Sequence, residues 1–526
     1  MNLKLLGRNQ ITKQVFFSPI EKRFSKKLNT KVLDDVFSEI KSYLSILRSK
    51  EEKVVNFKTD EELRAFFNFE ISDIKGISDE EVVNISKMVL EYSVNVGHPN
   101  YFNTLFGGFS EYSLIGDYVQ STLNSSAFTF ESAPIFTLME KEVGKKYAKM
   151  LNWETYDFIF CPGGTFASLY ALTTSRFHKF PNVKFEGVNN LPQMNVFTSE
   201  LSQCSMEKGA MVLGIGTNNI ITIKTDERGR MIPSNLEEKI KICIDKGHVP
   251  MMINSTMGTT VFGANDPFEE ISSICEKYDI WHHIDATYGG AQLFLEDFRK
   301  QHENAFALSD SISMDQHKVL SVPQQSTIFL TKHEDILEEC NSTHSGYMSM
   351  QEKVLYDFHL EIGDKSIQCS RHMDIFKFWL YWKALSTEGL KDLIKKALDN
   401  SKYLAKLVKE HKNFELIIEP EYLTVCFFYF PEHIVYNPRD EAFWKEVDDI
   451  CKKMKIEMIK RGNTMISYQK QLSSHKKLVN FFRPSITLGK EREDIDFLFK
   501  ELIEIGEIVS EKENLMRSIR TSIILA

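Results

Sequence analysis

An aspartate closing an apolar run and a lysine a short way beyond it are the residues of this chain best suited to chemistry. Residues 280–290, IWHHIDATYGG, read as a buried strand that delivers Asp285 at its end and then turns on glycine. Residues 315–319, DQHKV, set Lys318 in a short polar stretch beside His317. Together they meet the needs of a pyridoxal phosphate site. The amine holds the cofactor aldehyde as a Schiff base, and the carboxylate keeps the pyridine nitrogen protonated so that the ring accepts electrons. Taken alone, the pair fits equally well a helix cap and a solvated surface charge, so the elements around it decide.

Those elements predict an α/β protein. Short apolar runs at residues 156–160, 250–254, 280–286 and 326–330 read as strands, with helical stretches between them. The alternation implies a mostly parallel sheet covered on both faces, with ligands beyond the carboxyl ends of its strands. Thr256 and Asp285 lie at such ends. The stretch from Phe158 to Thr165, FIFCPGGT, reads as strand, glycine turn and helix start. There the backbone can approach an anion and the first helical N–H groups can hold a phosphate. A Pro-Gly-Gly on its own more often just reverses the chain.

Before this region, residues 32–48 carry an amphipathic helix with Leu33, Val36, Phe37, Ile40, Tyr43, Leu44 and Leu47 on one face. Thr59 with Glu62 and Ser78 with Glu81 announce two further helices as capping boxes. After it, residues 423–430 read as an apolar strand and 494–509 as a helix with Ile495, Leu498, Phe499, Leu502 and Ile505 on one face. The predicted organisation is an N-terminal helical segment over 1–114, a large cofactor-binding α/β domain over 115–394 and a small α+β domain over 395–526. The first segment is suited to wrapping a partner subunit.

Composition agrees. The 526 residues are 42% apolar and 26% charged, ordinary for a globular enzyme. A net charge of −9 argues against nucleic-acid binding as the main task. The eight cysteines show no C-x-x-C spacing, which fits reduced thiols rather than a zinc site or a disulfide framework, and no metal is expected. No apolar run reaches the length of a membrane span, and no signal-peptide pattern is present. The first thirty residues hold seven Lys and Arg against Glu21. They are read as a solvated arm of a cytoplasmic protein, with a mitochondrial presequence as the alternative.

The order of parts, a cradle at 163–165, a threonine at 256, an aspartate at 285 and a lysine at 318, resembles fold-type I pyridoxal phosphate enzymes. More narrowly, the chain resembles group II amino-acid decarboxylases, the branch with animal glutamate and cysteine sulfinate decarboxylases. The matching stretches begin at Gly97 (GHPNYFN), Asn124 (NSSAFTFE), Phe197 (FTSE), Asn254 (NSTMGTT), Gly363 (GDKSIQC), Arg371 (RHMDIFKFW) and Asn480 (NFFR), besides the two central segments. They run in order from about 95 to 510.

The resemblance implies roles residue by residue. Lys318 matches the Schiff-base lysine and Asp285 the pyridinium partner. Gly164 and Thr165 match the phosphate turn, Thr256 a cofactor-contacting threonine, and His317 the histidine before the lysine. Arg483 matches the arginine that grips the substrate carboxylate, a task suited to a planar fork. Its bland reading, a surface ion pair, sits poorly beside Phe481 and Phe482. Tyr356 matches a mobile-loop tyrosine that covers the site and returns a proton to the substrate carbon. This chain has one more residue between Gly346 and Gly363 than the family pattern. The implied assembly is a homodimer with the site between subunits, acting on a small acidic amino acid.

Three positions depart from the family pattern. Gln203 replaces the histidine that stacks on the cofactor ring, so neither an aromatic face nor a near-neutral titration is supplied there. Thr287 stands in Asp-Ala-Thr where the family has Asp-Ala-Ala. Asp315 replaces an asparagine, placing a carboxylate where it repels the phosphate if it points that way. Such losses weaken cofactor binding by roughly 1–3 kcal/mol.

At the substrate end, Asn103 and Phe106 resemble the cysteine sulfinate and aspartate decarboxylases, where an aromatic residue takes the place of a small hydroxyl. The bulk shortens the pocket by about one methylene, worth roughly 1–3 kcal/mol, which favours cysteine sulfinate or aspartate over glutamate. The products would be hypotaurine, on the way to taurine, or β-alanine. Two alternatives stay open: decarboxylation coupled to oxidative deamination, releasing an aldehyde, ammonia and peroxide, and a decarboxylase-like fold with a weakened cofactor site and little turnover.

Overall fold

The structure, a computed structural model, describes residues 28–343, 360–472 and 478–525. Strand β1 (Tyr101–Phe102) belongs to the smaller of two sheets, and the next seven build the larger. These are β2 (Asp157–Cys161), β3 (Met194–Ser199), β4 (Ile220–Ile223), β5 (Val249–Thr256), β6 (Trp281–Asp285), β7 (Ser311–Asp315) and β8 (Thr327–Thr331), in the spatial order β2-β8-β7-β6-β5-β3-β4. Each run read as a strand in this region is one, shifted by a residue or two at its ends.

All neighbours from β7 through β4 pair parallel, while β8 is antiparallel to both β7 and β2. Two reversals restore direction, so β2 also runs parallel to β7. The carboxyl ends of β2, β3, β5, β6 and β7 therefore share one edge. Every residue of β2, β6, β7 and β8 is buried. In β2, Phe158 and Phe160 enter one apolar cluster while Ile159 and Cys161 enter another, the mark of a sheet covered on both faces.

The smaller sheet has the order β1-β11-β12-β10-β9, with β9 (Phe414–Leu416), β10 (Phe427–Tyr429), β11 (Met465–Leu472) and β12 (Leu478–Arg483). Here one expectation is corrected. The apolar run at 423–430 forms a ladder only over Phe427–Tyr429. Thr424 makes an isolated bridge to Ser485, and Val425 N–H donates to Pro484 O. Pro484 has no N–H to return, so the ladder stops there. Leu423 and Val425, both buried, bond across only at that single bridge, Leu423 O accepting the Ile486 N–H. The helix foreseen at 494–509 spans Arg492–Leu525, with the five predicted face residues buried.

The chain divides after Asn95 into two compact units. The first holds helices Thr30–Ile46, Asp60–Phe66 and Asp79–Tyr92. Thr59 and Glu62 close a full capping box, while Ser78 supplies only the forward half of one, accepting from Glu81 N–H. The apolar face of the first helix is only partly covered, with Leu33 48% exposed.

Candidate active site

The shared strand edge gathers the residues singled out above. β5 ends at Thr256 and β6 at Asp285, in direct register. Lys318 follows β7 by three residues, Gly163 and Gly164 follow β2, and Gln203 lies in the turn after β3. Asp266 fixes the edge from behind: its buried carboxylate accepts the Thr256 and Met231 N–H groups, each at 2.7 Å. Sequence reading missed it, because its partners, the Met231 and Thr256 N–H groups, lie on other segments and leave no local mark.

The Lys318 amine donates to Thr287 Oγ1 at 3.2 Å and stands 3.0 Å from Asp315 Oδ2. Thr327 holds the other oxygen of Asp315 at 2.7 Å. Thr287 and Asp315, two of the departures from the family pattern, thus form the seat of the lysine. His317 is anchored through Nδ1, 2.8 Å from Ser326 O and 3.3 Å from Ser326 N, and its Nε2 lies 3.7 Å from Asp315 Oδ2.

Asp285 is 2% exposed. Burial pushes its carboxyl up, and the charge of Lys318 pulls it back. Its Oδ1 accepts the Thr287 N–H at 3.0 Å, and no cation lies within ion-pair distance among the described residues. A buried carboxylate of this kind wants a positive partner, which a protonated ring nitrogen provides.

The cradle is open. The helix Gly164–Lys179 starts without a side-chain cap, and Gly163 adopts a φ of 93°, accessible to glycine. A Cβ on Gly164 would stand 2.8 Å from Thr287 Cγ2 and 3.2 Å from Asp315 Oδ2, so no side chain fits. Thr165 is exposed at the helix start. The buried Thr256 Oγ1 and Gln203 Oε1 lack hydrogen-bond partners, as expected of groups that a bound molecule satisfies. The residues present therefore fit pyridoxal phosphate: cradle at 163–165, ring partner at Asp285, tether at Lys318.

Arg483 ends β12 and is 4% exposed, with Phe481 and Phe482 fully buried beside it. Its Nε donates to Ser467 Oγ at 3.0 Å and its Nη1 to Thr260 O, in the loop that follows Thr256. No carboxylate pairs with it among the described residues, and burial pushes its pKa down. A surface ion pair is thereby excluded; a buried guanidinium without an acid is a site for one. Ser467, opposite Arg483 in the β11–β12 register, left no trace in the sequence that could have flagged it.

Asn103 follows β1, which pairs with β11. Ser485 N–H donates to Phe102 O, so the segment carrying Asn103 and the half-buried Phe106 runs beside Arg483. Further on, Gly108 packs against Ser321, whose N–H donates to Lys318 O. Tyr356 lies outside the described residues.

A parallel strand edge with a lysine tether, a buried carboxylate and an uncapped glycine cradle defines a pyridoxal phosphate enzyme of fold type I. The chain matches the pyridoxal-dependent decarboxylase conserved domain over residues 61–430. It is 37% identical over 479 residues to the acidic amino acid decarboxylase GADL1 of Xenopus tropicalis, covering 90% of this chain and 92% of that one. It is 36% identical over 480 residues to the cysteine sulfinic acid decarboxylase of Mus musculus, covering 90% and 96%. The crystal structure of mouse CSAD in apo form superposes with a TM-score of 0.85 at 35% identity, over 90% of this chain and 98% of that one. The chain belongs to the pyridoxal-dependent decarboxylases, with pyridoxal phosphate as its cofactor.

Proposed function

We propose that the protein removes the α-carboxylate of a short acidic amino acid, cysteine sulfinate or aspartate ahead of glutamate. The observation that carries this reading is Arg483, a buried guanidinium without an acidic partner among the described residues, beside the segment that bears Phe106. Arg483 pairs with the substrate carboxylate and orients it. Phe106 shortens the pocket. Lys318 tethers the cofactor and Asp285 holds positive charge on the ring nitrogen. When bound, pyridoxal phosphate supplies the electron sink for the charge left as carbon dioxide departs. Tyr356 is assigned the return of a proton to the substrate carbon. The relatives' printed names, for acidic amino acids and cysteine sulfinic acid, support the same substrate class.

The working unit in this reading is a homodimer with the site at the subunit interface. The exposed apolar residues of the N-terminal unit, Leu33, Ile46 and Val89 among them, support a partner surface there. Eight free thiols suit a reducing compartment, and the cytoplasm is the proposed location.

The test is carbon dioxide and amine release from each of the three acids by purified protein with added pyridoxal phosphate, with peroxide measured alongside. Matched carbon dioxide and amine without peroxide are expected. Peroxide with aldehyde would replace the reading by oxidative deamination. Carbon dioxide from none, with a borohydride-trapped adduct still found on the Lys318 peptide, would leave a cofactor-binding protein that is not a decarboxylase of these acids.

A further inference from the structure

Two polar atoms left without a partner in the site, Gln203 Oε1 and Thr256 Oγ1, belong to segments that are tied to one small reversal of the chain over residues 225–231. Thr225 and Met231 face each other there in an isolated antiparallel bridge. Glu200 Oε1 accepts both the N–H and the hydroxyl of Thr225, at 2.8 and 2.6 Å, and Glu200 stands three residues before Gln203. Across the bridge, Met231 N–H donates to Asp266 Oδ1 at 2.7 Å, and the other oxygen of the same carboxylate takes the Thr256 N–H at 2.7 Å. Asp266 N–H returns a bond to Thr256 O at 3.0 Å.

The reversal is built to keep its shape. Asp226 accepts the Arg228 and Arg230 N–H groups on one oxygen, each at 2.9 Å, and the Arg230 guanidinium fork on the other. A carboxylate that gathers donors from both sides of a turn, one of them a charged fork, closes the turn on itself. Gly229 sits near the tip with a φ of 80°, where a Cβ would stand 3.0 Å from Leu201 Cδ1 and 3.0 Å from Phe262 Cδ2. Leu201 lies two residues before Gln203, and Phe262 lies in the loop that follows Thr256. The tip therefore packs between the same two segments that the base ties by hydrogen bonds.

We propose that Glu200 and Asp266 are positioning residues for the cofactor ring: through the reversal at 225–231 they lock the turn that carries Gln203 to the strand end that carries Thr256, so that the two side chains keep a fixed spacing. This rests on the reading of Gln203 and Thr256 as ring contacts. The phosphate cradle stands apart from the device, because it follows β2 and the device joins β3 to β5, with β8, β7 and β6 between them in the sheet. The two anchors act in series. The Thr225–Met231 bridge couples the segments only while both carboxylates hold it, so loss of either one frees the segments from each other.

The test titrates the full-length protein with pyridoxamine phosphate, which forms no imine with Lys318, and with inorganic phosphate as its competitor. Glu200→Ala and Asp266→Asn are each expected to weaken pyridoxamine phosphate by about fivefold or more, while inorganic phosphate stays within about twofold, because ring contacts loosen and the cradle does not. Glu200→Gln keeps an oxygen for Thr225 and is expected to stay within about twofold of wild type for both ligands. The double variant should lose less than the product of the two single losses, as links in series require. Unchanged affinity in Glu200→Ala, equal weakening of both ligands, or a full product in the double variant overturns the proposal. Glu200 is exposed, so Glu200→Ala and its rescue by Glu200→Gln decide the matter if Asp266→Asn does not fold. Gln203→Ala and Thr256→Ala separate two failures. No loss in either removes the ring contacts and the proposal with them, whereas a loss there with none in Glu200→Ala removes the role of the reversal alone.

Discussion

Asp315 stands 3.0 Å from the Lys318 amine and, through the same oxygen, 3.2 Å from where a side chain on Gly164 would begin. One carboxylate therefore seats the tether and borders the phosphate cradle. Thr327 holds it from the other side, so it does not swing away freely. The lysine gains a counter-charge, and a phosphate entering at Gly164 meets a like charge.

The first prediction concerns that carboxylate. Asp315→Asn keeps the shape and the Thr327 contact and removes the repulsion. It is expected to tighten binding of pyridoxamine phosphate, which cannot form an imine with Lys318, by about tenfold, or about 1.4 kcal/mol. Fluorescence titration reads the dissociation constant. Weaker binding in the variant would mean that Asp315 acts on the lysine alone.

Phe106 offers a direct test of length selection. Phe106→Ser opens the pocket by more than a methylene and is expected to raise kcat/KM for glutamate relative to cysteine sulfinate by roughly 10–200-fold. Competition between the two acids in one reaction, read by product mass, measures the ratio without separate rate constants. An unchanged ratio would remove Phe106 from the pocket wall.

Stability should fall in acid through the paired histidines of β6. His282 lies 2.8 Å from Ser255 Oγ and 3.2 Å from Ser272 Oγ, and His283 lies 2.8 Å from Ser311 Oγ and 3.2 Å from Ser313 Oγ. Burial pushes them down to about 4 and about 3. The folded chain keeps both neutral while the unfolded chain protonates them below about pH 6.5. Their contribution is complete above that value and shrinks as pH drops towards 4, by a total on the order of 2–5 kcal/mol at pH 4.5. Urea unfolding of wild type and His283→Asn at pH 7.5 and 4.5 checks this. The variant should be less stable at pH 7.5 yet lose less on acidification, and equal losses would refute the assignment.

Legibility in the sequence followed the kind of signal. Asp285, Gly164 and Lys318 could be read because strand-end chemistry leaves a local mark, an apolar run followed by glycine or polar residues. Arg483 was legible through the two phenylalanines before it, both fully buried. Gln203, Thr287 and Asp315 could be seen as departures, but the seat that Thr287 and Asp315 make for the lysine depends on Thr327 from a neighbouring strand. The strand expected at 423–430 was overextended for a related reason. Apolar composition reports burial, whereas pairing depended on Pro484, which lies far along the chain.

The place of β8 between β2 and β7 bears on how the chain matures at the ribosome. The cradle strand is made early, yet its one neighbour in the sheet among the described residues ends at Thr331, after the tether has already been synthesised. Until that late strand emerges, the helices Pro134–Met150 and Gly164–Lys179 can pack on β2, but its backbone has no strand to pair with. A nascent chain halted before Thr327 would hold both cradle and lysine with β2 not yet hydrogen-bonded into the sheet, an unpaired edge of the kind that chaperones shield.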